Sequence, residues 1–206
     1  MLTLPPSVNL PNTITLIRLI LCVIFAAAAS FATREEPVGY GIALVVFIFA
    51  AISDFLDGYL ARKLNLVTAL GKLMDPLADK ILVCTAFVYI SVAGLAPVWA
   101  TALIIAREFL VTGIRQIAVE KGEVIAADRL GKLKTIFQLT FCIMALVHLY
   151  LRDMEDPDAV SGLLRWLANP DNFFIYLALW PAVALTALSG ANYFINARHL
   201  FFPRKT

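Results

Sequence analysis

Between Ser53 and Lys80 the chain reads SDFLDGYLARKLNLVTALGKLMDPLADK, which brings four aspartates, Asp54, Asp57, Asp75 and Asp79, into 26 residues. On a helix, at about 100° per residue, Asp54, Asp57, Gly58 and Ala61 share a sector narrower than a third of the circumference. Small residues on that stripe leave room for a ligand to lie against the backbone. Asp75 and Asp79 stand one helical turn apart and face the same way. Carboxylates gathered in apolar surroundings cannot all stay ionised unless a cation intervenes. With no thiol or imidazole nearby, an all-oxygen set selects a hard ion: Mg²⁺, Mn²⁺ or Ca²⁺. Two ions suit four carboxylates better than one, and paired ions are a recurrent device for phosphoryl transfer. The structural alternative pairs each Asp with Arg62, Lys63, Lys72 or Lys80 as ion pairs at a membrane edge.

The elements that must hold these residues follow from composition. Of 206 residues, 61% are hydrophobic and 16% charged, with a mean hydropathy of +0.82, whereas soluble domains run nearer half and a quarter. A water-soluble globule, a disordered chain and a disulfide-stapled fold are excluded. A net charge of +2 without a charged tail gives no reason to expect nucleic acid as a partner. Cys22, Cys84 and Cys142 lie in apolar stretches with no metal-ligand spacing, and read as small hydrophobes. A membrane crossing takes about 20 residues, and six apolar stretches of that order occur, near 12–33, 37–61, 76–94, 97–119, 133–151 and 172–197. The expected fold is an all-α polytopic membrane protein with six transmembrane helices and a single domain over 1–206. Gly94-Leu95-Ala96-Pro97 marks the turn between the third and fourth spans. Asp75-Pro76 predicts the start of the third helix, with Asp75 as its cap.

Orientation follows from the basic residues. An even number of spans puts both termini on one side. The loops on the other side then carry Arg34, Arg152 and Arg165 against seven acidic residues, a net −4, while the rest of the chain is +6. Both termini and the charged loops near 62–75 and 120–134 are therefore expected in the cytoplasm. Residues 19–29 followed by AAAAS look like a signal-peptide core, but no basic segment precedes them, so they are read as part of the first span. The outer loop 152–171 carries an apolar patch, Leu163-Leu164-Arg165-Trp166-Leu167, suited to the membrane interface.

The aspartate segment resembles a known signature. Asp54-x2-Asp57-Gly58-x2-Ala61-Arg62-x8-Gly71-x3-Asp75-x3-Asp79 matches, without a gap, that of the CDP-alcohol phosphotransferase family. The resemblance implies a six-helix membrane enzyme that forms homodimers. It implies two metal ions held by Asp54, Asp57, Asp75 and Asp79, with Asp79 also acting as general base. It further implies that Gly58, Arg62, Thr68 and Gly71 bind the CDP moiety, for which the Arg62 guanidinium offers a permanent charge and forked donors.

Which alcohol accepts the transferred group depends on residues outside the signature. Arg107 and Arg115 stand eight apart, about 80° around one helix, and can line one side of a cavity. Lys132 and Lys134 open the fifth span at the same edge. Four cations there form a seat for an anionic acceptor, or else a collar meeting anionic lipid headgroups. The strings Ala106-Arg107-Glu108 and Gly131-Lys132-Leu133-Lys134-Thr135, and the opening from Pro11 to Leu19, are similar to those of bacterial phosphatidylglycerophosphate synthases, a branch of that family. This implies CDP-diacylglycerol as donor, glycerol 3-phosphate as acceptor, Mg²⁺ or Mn²⁺ as cofactor, and a site on the cytoplasmic face of the bacterial inner membrane among membrane lipids. Inositol phosphate or a phosphatidyl group are the acceptors left open. A cation transporter is the rival of another class, but it would be expected to hold its acidic groups near the midplane. Asn12, Thr15 and Arg18 stand to border the site; His148 and His199 fall at opposite membrane faces.

Overall fold

In a chain this apolar each segment must satisfy its own backbone N–H and C=O groups, and the helix does so. The structure is a computed structural model that describes residues 10–32, 37–64, 69–123, 129–152, 154 and 158–201. The side chains of 10–15, 54–64, 69–79, 129, 200 and 201 also lie outside the described set. Among the described residues there are seven helices and no strand: α1 (Leu10–Phe31), α2 (Val38–Leu64), α3 (Ala69–Val92), α4 (Val98–Glu120), α5 (Arg129–Leu151), α6 (Ala159–Ala168) and α7 (Phe174–Phe201). Six of them have 22 to 28 residues. Of these, α5 and α7 carry uninterrupted apolar stretches long enough to cross a membrane, Leu130–Leu151 and Phe174–His199.

Two expectations need correction. The third helix starts at Ala69, not at Asp75, and continues through Pro76. A proline inside a helix removes one hydrogen bond and disfavours the residue before it, but neighbouring helices can compensate. The same tolerance appears at Pro181 inside α7. The connection before α3 is consequently only four residues, 65–68, in place of a long inner loop. The loop 152–171 also holds a helix, α6, capped by the Asp158 carboxylate, which accepts from the Ser161 N–H at 3.0 Å. Hydrogen bonding from the Ser161 side chain, and then from its N–H, holds the exposed Asp158 carboxyl below its ordinary pKa.

One apolar cluster joins the six long helices, with Phe25, Phe47, Phe87, Ile104, Phe141 and Leu179 at its centre. Helix α1 packs on α2 and α3, α5 on α2 and α7, and α4 on α3 and α7. Large apolar side chains also cover the outside, among them Val23, Phe49, Ile136, Leu177 and Phe194, each at least 47% exposed. An apolar core beneath an apolar exterior is the arrangement a membrane protein requires. The three cysteines are buried and free. Gly39 lets α2 approach α1 closely: a Cβ there would stand 2.7 Å from the Ala28 carbonyl oxygen. Gly94, with φ +81°, makes the expected turn before α4. Between α5 and α7, the buried Gln138 amide donates to the Thr186 hydroxyl at 3.2 Å, and that hydroxyl donates to the Ala182 carbonyl at 2.6 Å.

Candidate active site

Helix α4 has an inward stripe in which Ala100 and Ile104 join the apolar core and Arg107, Glu108, Val111 and Thr112 continue it. Helix α5 brings Lys134 to the same level, one turn before the buried Gln138. Around them lies a cavity of about 470 Å³ lined by Arg107, Arg115, Lys132 and Lys134. All four cations expected to receive an anion are therefore gathered in one place. Lys134 is 3% exposed and Lys132 is exposed. A headgroup collar does not account for a buried lysine that faces a cavity.

Glu108 and Lys80 also line this cavity. The Glu108 carboxylate is ion-paired with the Lys134 ammonium, lies 3.5 Å from Arg107 Nη1 and lies 3.8 Å from Lys80 Nζ. One buried carboxylate thus faces cations from α3, α4 and α5. Desolvating such charges is expensive, and removing one partner exposes the others to the full cost. The sequence offered Glu108 only within the string Ala106-Arg107-Glu108, and Lys80 only as a partner for aspartate.

Helix α7 completes the wall with Tyr193, 3% exposed. Its hydroxyl accepts from Arg115 Nε at 3.1 Å and from Nη2 at 2.5 Å. The Arg115 guanidinium carbon is 5.1 Å and that of Arg107 5.9 Å from the Tyr193 ring centre. One turn earlier, Gly190 meets the Arg107 stem: a Cβ there would stand 3.0 Å from Arg107 Cγ. Sequence reasoning missed Tyr193 and Gly190. The available signal was the spacing from Thr186, with Gly190 four and Tyr193 seven residues on, which makes a polar and small-residue stripe along an apolar helix.

Asp54, Asp57, Gly58, Arg62, Thr68, Gly71, Asp75 and Asp79 lie outside the described residues or side chains. Among the described residues no three His, Cys, Asp or Glu gather to hold a metal ion. Arg18 is buried but does not line the cavity, while Asn12 and Thr15 lie outside the described side chains. His199, at the end of α7, pairs with Glu123 at 2.7 Å, and His148 lies in the last turn of α5, at the opposite end of that helix from Lys132 and Lys134.

Among the described residues, a helical fold with an apolar exterior and a cationic cavity is compatible with an enzyme that moves charged groups at a membrane. The family model for CDP-alcohol phosphatidyltransferases matches residues 8–188, and the chain belongs to that family. Among its relatives is a protein of Bacillus subtilis (strain 168) named CDP-diacylglycerol–glycerol-3-phosphate 3-phosphatidyltransferase, 41% identical over 195 residues, which cover 90% of this chain and 93% of the relative. A protein of the same name from Rickettsia typhi (strain ATCC VR-144 / Wilmington) is 33% identical over 204 residues, covering 94% and 99%.

Proposed function

We propose that this enzyme transfers the phosphatidyl group of CDP-diacylglycerol to sn-glycerol 3-phosphate, giving phosphatidylglycerol phosphate and CMP. The observation that carries the reading is the cavity in which Arg107, Arg115, Lys132 and Lys134 converge. It has the charge to hold a phosphate-bearing acceptor, in a chain whose relatives bear the name of that reaction.

Helical register supports the metal assignment. On α2 the buried residues Ala43, Phe47 and Ala50 recur at steps of four and three, and Asp54 and Asp57 continue the same series. On α3, Leu82 and Ala86 are buried, and Asp75 and Asp79 stand seven residues before each. By sequence spacing, both aspartate pairs continue these series. An all-carboxylate donor set suits two Mg²⁺ or Mn²⁺ ions, and when bound these supply counter-charge at the pyrophosphate of the donor. Gly58, Arg62, Thr68 and Gly71 hold the CDP moiety. The cationic cavity binds the acceptor's phosphate and so fixes its 1-hydroxyl, using binding energy for orientation. Asp79 accepts the proton of that hydroxyl as its oxygen attacks the phosphorus carrying diacylglycerol. The bond to CMP breaks, and CMP leaves with the electron pair.

The six long helices are the six spans of one domain covering 1–206, with both termini and the site on the cytoplasmic side of the bacterial inner membrane. Their 22 to 28 residues correspond to about 33–42 Å of helix, and the charge asymmetry of the loops favours this orientation. Helix α6 then lies on the outer surface, with Val160, Leu163 and Trp166 exposed for contact with lipid. The enzyme works as a homodimer. The test is CMP release by the purified protein with Mg²⁺ and CDP-diacylglycerol, offering glycerol 3-phosphate, inositol phosphate and serine separately. Release is expected with glycerol 3-phosphate. Release with another acceptor alone overturns the acceptor assignment, and release with none overturns the activity.

A further inference from the structure

We infer that Tyr193, seated through Gly190, is a positioning residue that holds the guanidinium groups of Arg107 and Arg115 ready for the acceptor's phosphate. The inference rests on reading the cationic cavity as the acceptor seat. Gly190 and Tyr193 lie beyond residues 8–188, the stretch that the family model matches.

Tyr193 is itself poorly placed to be a ligand. It is 3% exposed, and its hydroxyl oxygen already accepts from two donors of Arg115. What it does is set two long side chains. The ring lies against both guanidinium groups, which favours the cation over an aromatic face. The hydroxyl fixes the rotation of Arg115 about its stem. Gly190 leaves the gap through which the Arg107 stem passes. An arginine free to sample rotamers loses that freedom when it grips phosphate, and the loss weakens binding. Arginines held beforehand avoid it, and their forked donors present a fixed geometry to phosphate oxygens. Both arginines come from α4, so α7 shapes the acceptor seat through them.

The test is steady-state kinetics of the full-length protein with Tyr193→Phe, Tyr193→Leu and Gly190→Ala, read as CMP release against glycerol 3-phosphate and, separately, against CDP-diacylglycerol. Tyr193→Phe keeps the ring and loses the hydroxyl, and its acceptor KM is expected to rise by about tenfold to a hundredfold, as for one hydrogen bond to a charged group. Tyr193→Leu loses both contacts, and a further rise of about threefold is expected. Gly190→Ala displaces the Arg107 stem and raises the acceptor KM with Tyr193 intact. In all three the donor KM stays within about twofold, a split that general loss of packing does not produce. Lys134→Ala serves as the reference. If it raises the acceptor KM while the Tyr193 variants do not, the role of Tyr193 is refuted and the seat stands. If Lys134→Ala also leaves the acceptor KM unchanged, the seat reading fails. Equal loss against donor and acceptor in the Tyr193 variants refutes the positioning role.

Discussion

Replacing Glu108 by Gln removes the one negative charge that the described structure sets among Lys80, Arg107 and Lys134 while keeping its shape. Truncating one partner of a buried ion pair costs about 3–5 kcal/mol, mostly from leaving the opposite charge unpaired. Lys80 is 23% exposed in its side chain, so water takes over part of its share, and Lys134, at 4%, bears most of the loss. The low end of the range, about 3 kcal/mol, is therefore expected, or about 6–12 °C in the unfolding midpoint of a chain this size. The same change leaves the cavity more positive. Glycerol 3-phosphate then supplies the missing anion, and it is expected to raise the midpoint of Glu108→Gln by several degrees more than that of the parent protein. A ligand at 100 times its Kd contributes about 2.7 kcal/mol, so near saturation most of the lost stability returns. The assay is thermal unfolding in detergent with and without glycerol 3-phosphate, with glycerol as the uncharged control. A midpoint within about 2 °C of the parent, or equal protection of both proteins, refutes the account of Glu108 as the resident counter-anion.

Asp79→Asn is expected to abolish CMP release while CDP-diacylglycerol still binds, measured by turnover and by lipid-nucleotide titration; equal turnover removes Asp79 as the base. Chelation of divalent ions is expected to stop CMP release, and added Mg²⁺ or Mn²⁺ to restore it. Gly39→Val forces a side chain against the Ala28 carbonyl and Ala32; overpacking of this kind costs about 1–3 kcal/mol, seen as a lower unfolding midpoint with the acceptor KM unchanged. Because the folded Asp158 carboxyl lies below its ordinary pKa, its cap of α6 is complete above that ordinary value and is lost as pH falls through the lowered one. Trp166 emission, with Trp99 and Trp180 replaced by Phe, is expected to report that loss in acid, and Asp158→Ala to abolish the pH dependence.

The long helices were legible because each is an apolar run closed by residues that end helices. Gly94 and Pro97 mark the α3–α4 turn in sequence and in structure alike. The start of α3 was misread because Asp-Pro is a bias on local conformation, and the long helix overrides it. Helix α6 was hidden by its length, although Asp158 followed three residues later by Ser161 was a usable cap signal. The four cations of the cavity were readable as a group from spacing and topology. That Lys134 would be buried, that Glu108 would lie among three cations and that Tyr193 would back both arginines depend on how α4, α5 and α7 meet. No single-helix pattern encodes that meeting.

The hydrogen bond from Gln138 to Thr186 has a mechanical consequence. A turn of α7 by a single residue, about 100°, would swing Gly190 and Tyr193 away from α4 and dissolve the wall they form. The amide–hydroxyl contact sits four residues ahead of Gly190 and acts as a key in a shaft: it fixes the angle of everything downstream. Upstream of it, Ile175, Ala178 and Leu179 are buried in the apolar core, so core and key together set the angle at which Gly190 and Tyr193 stand.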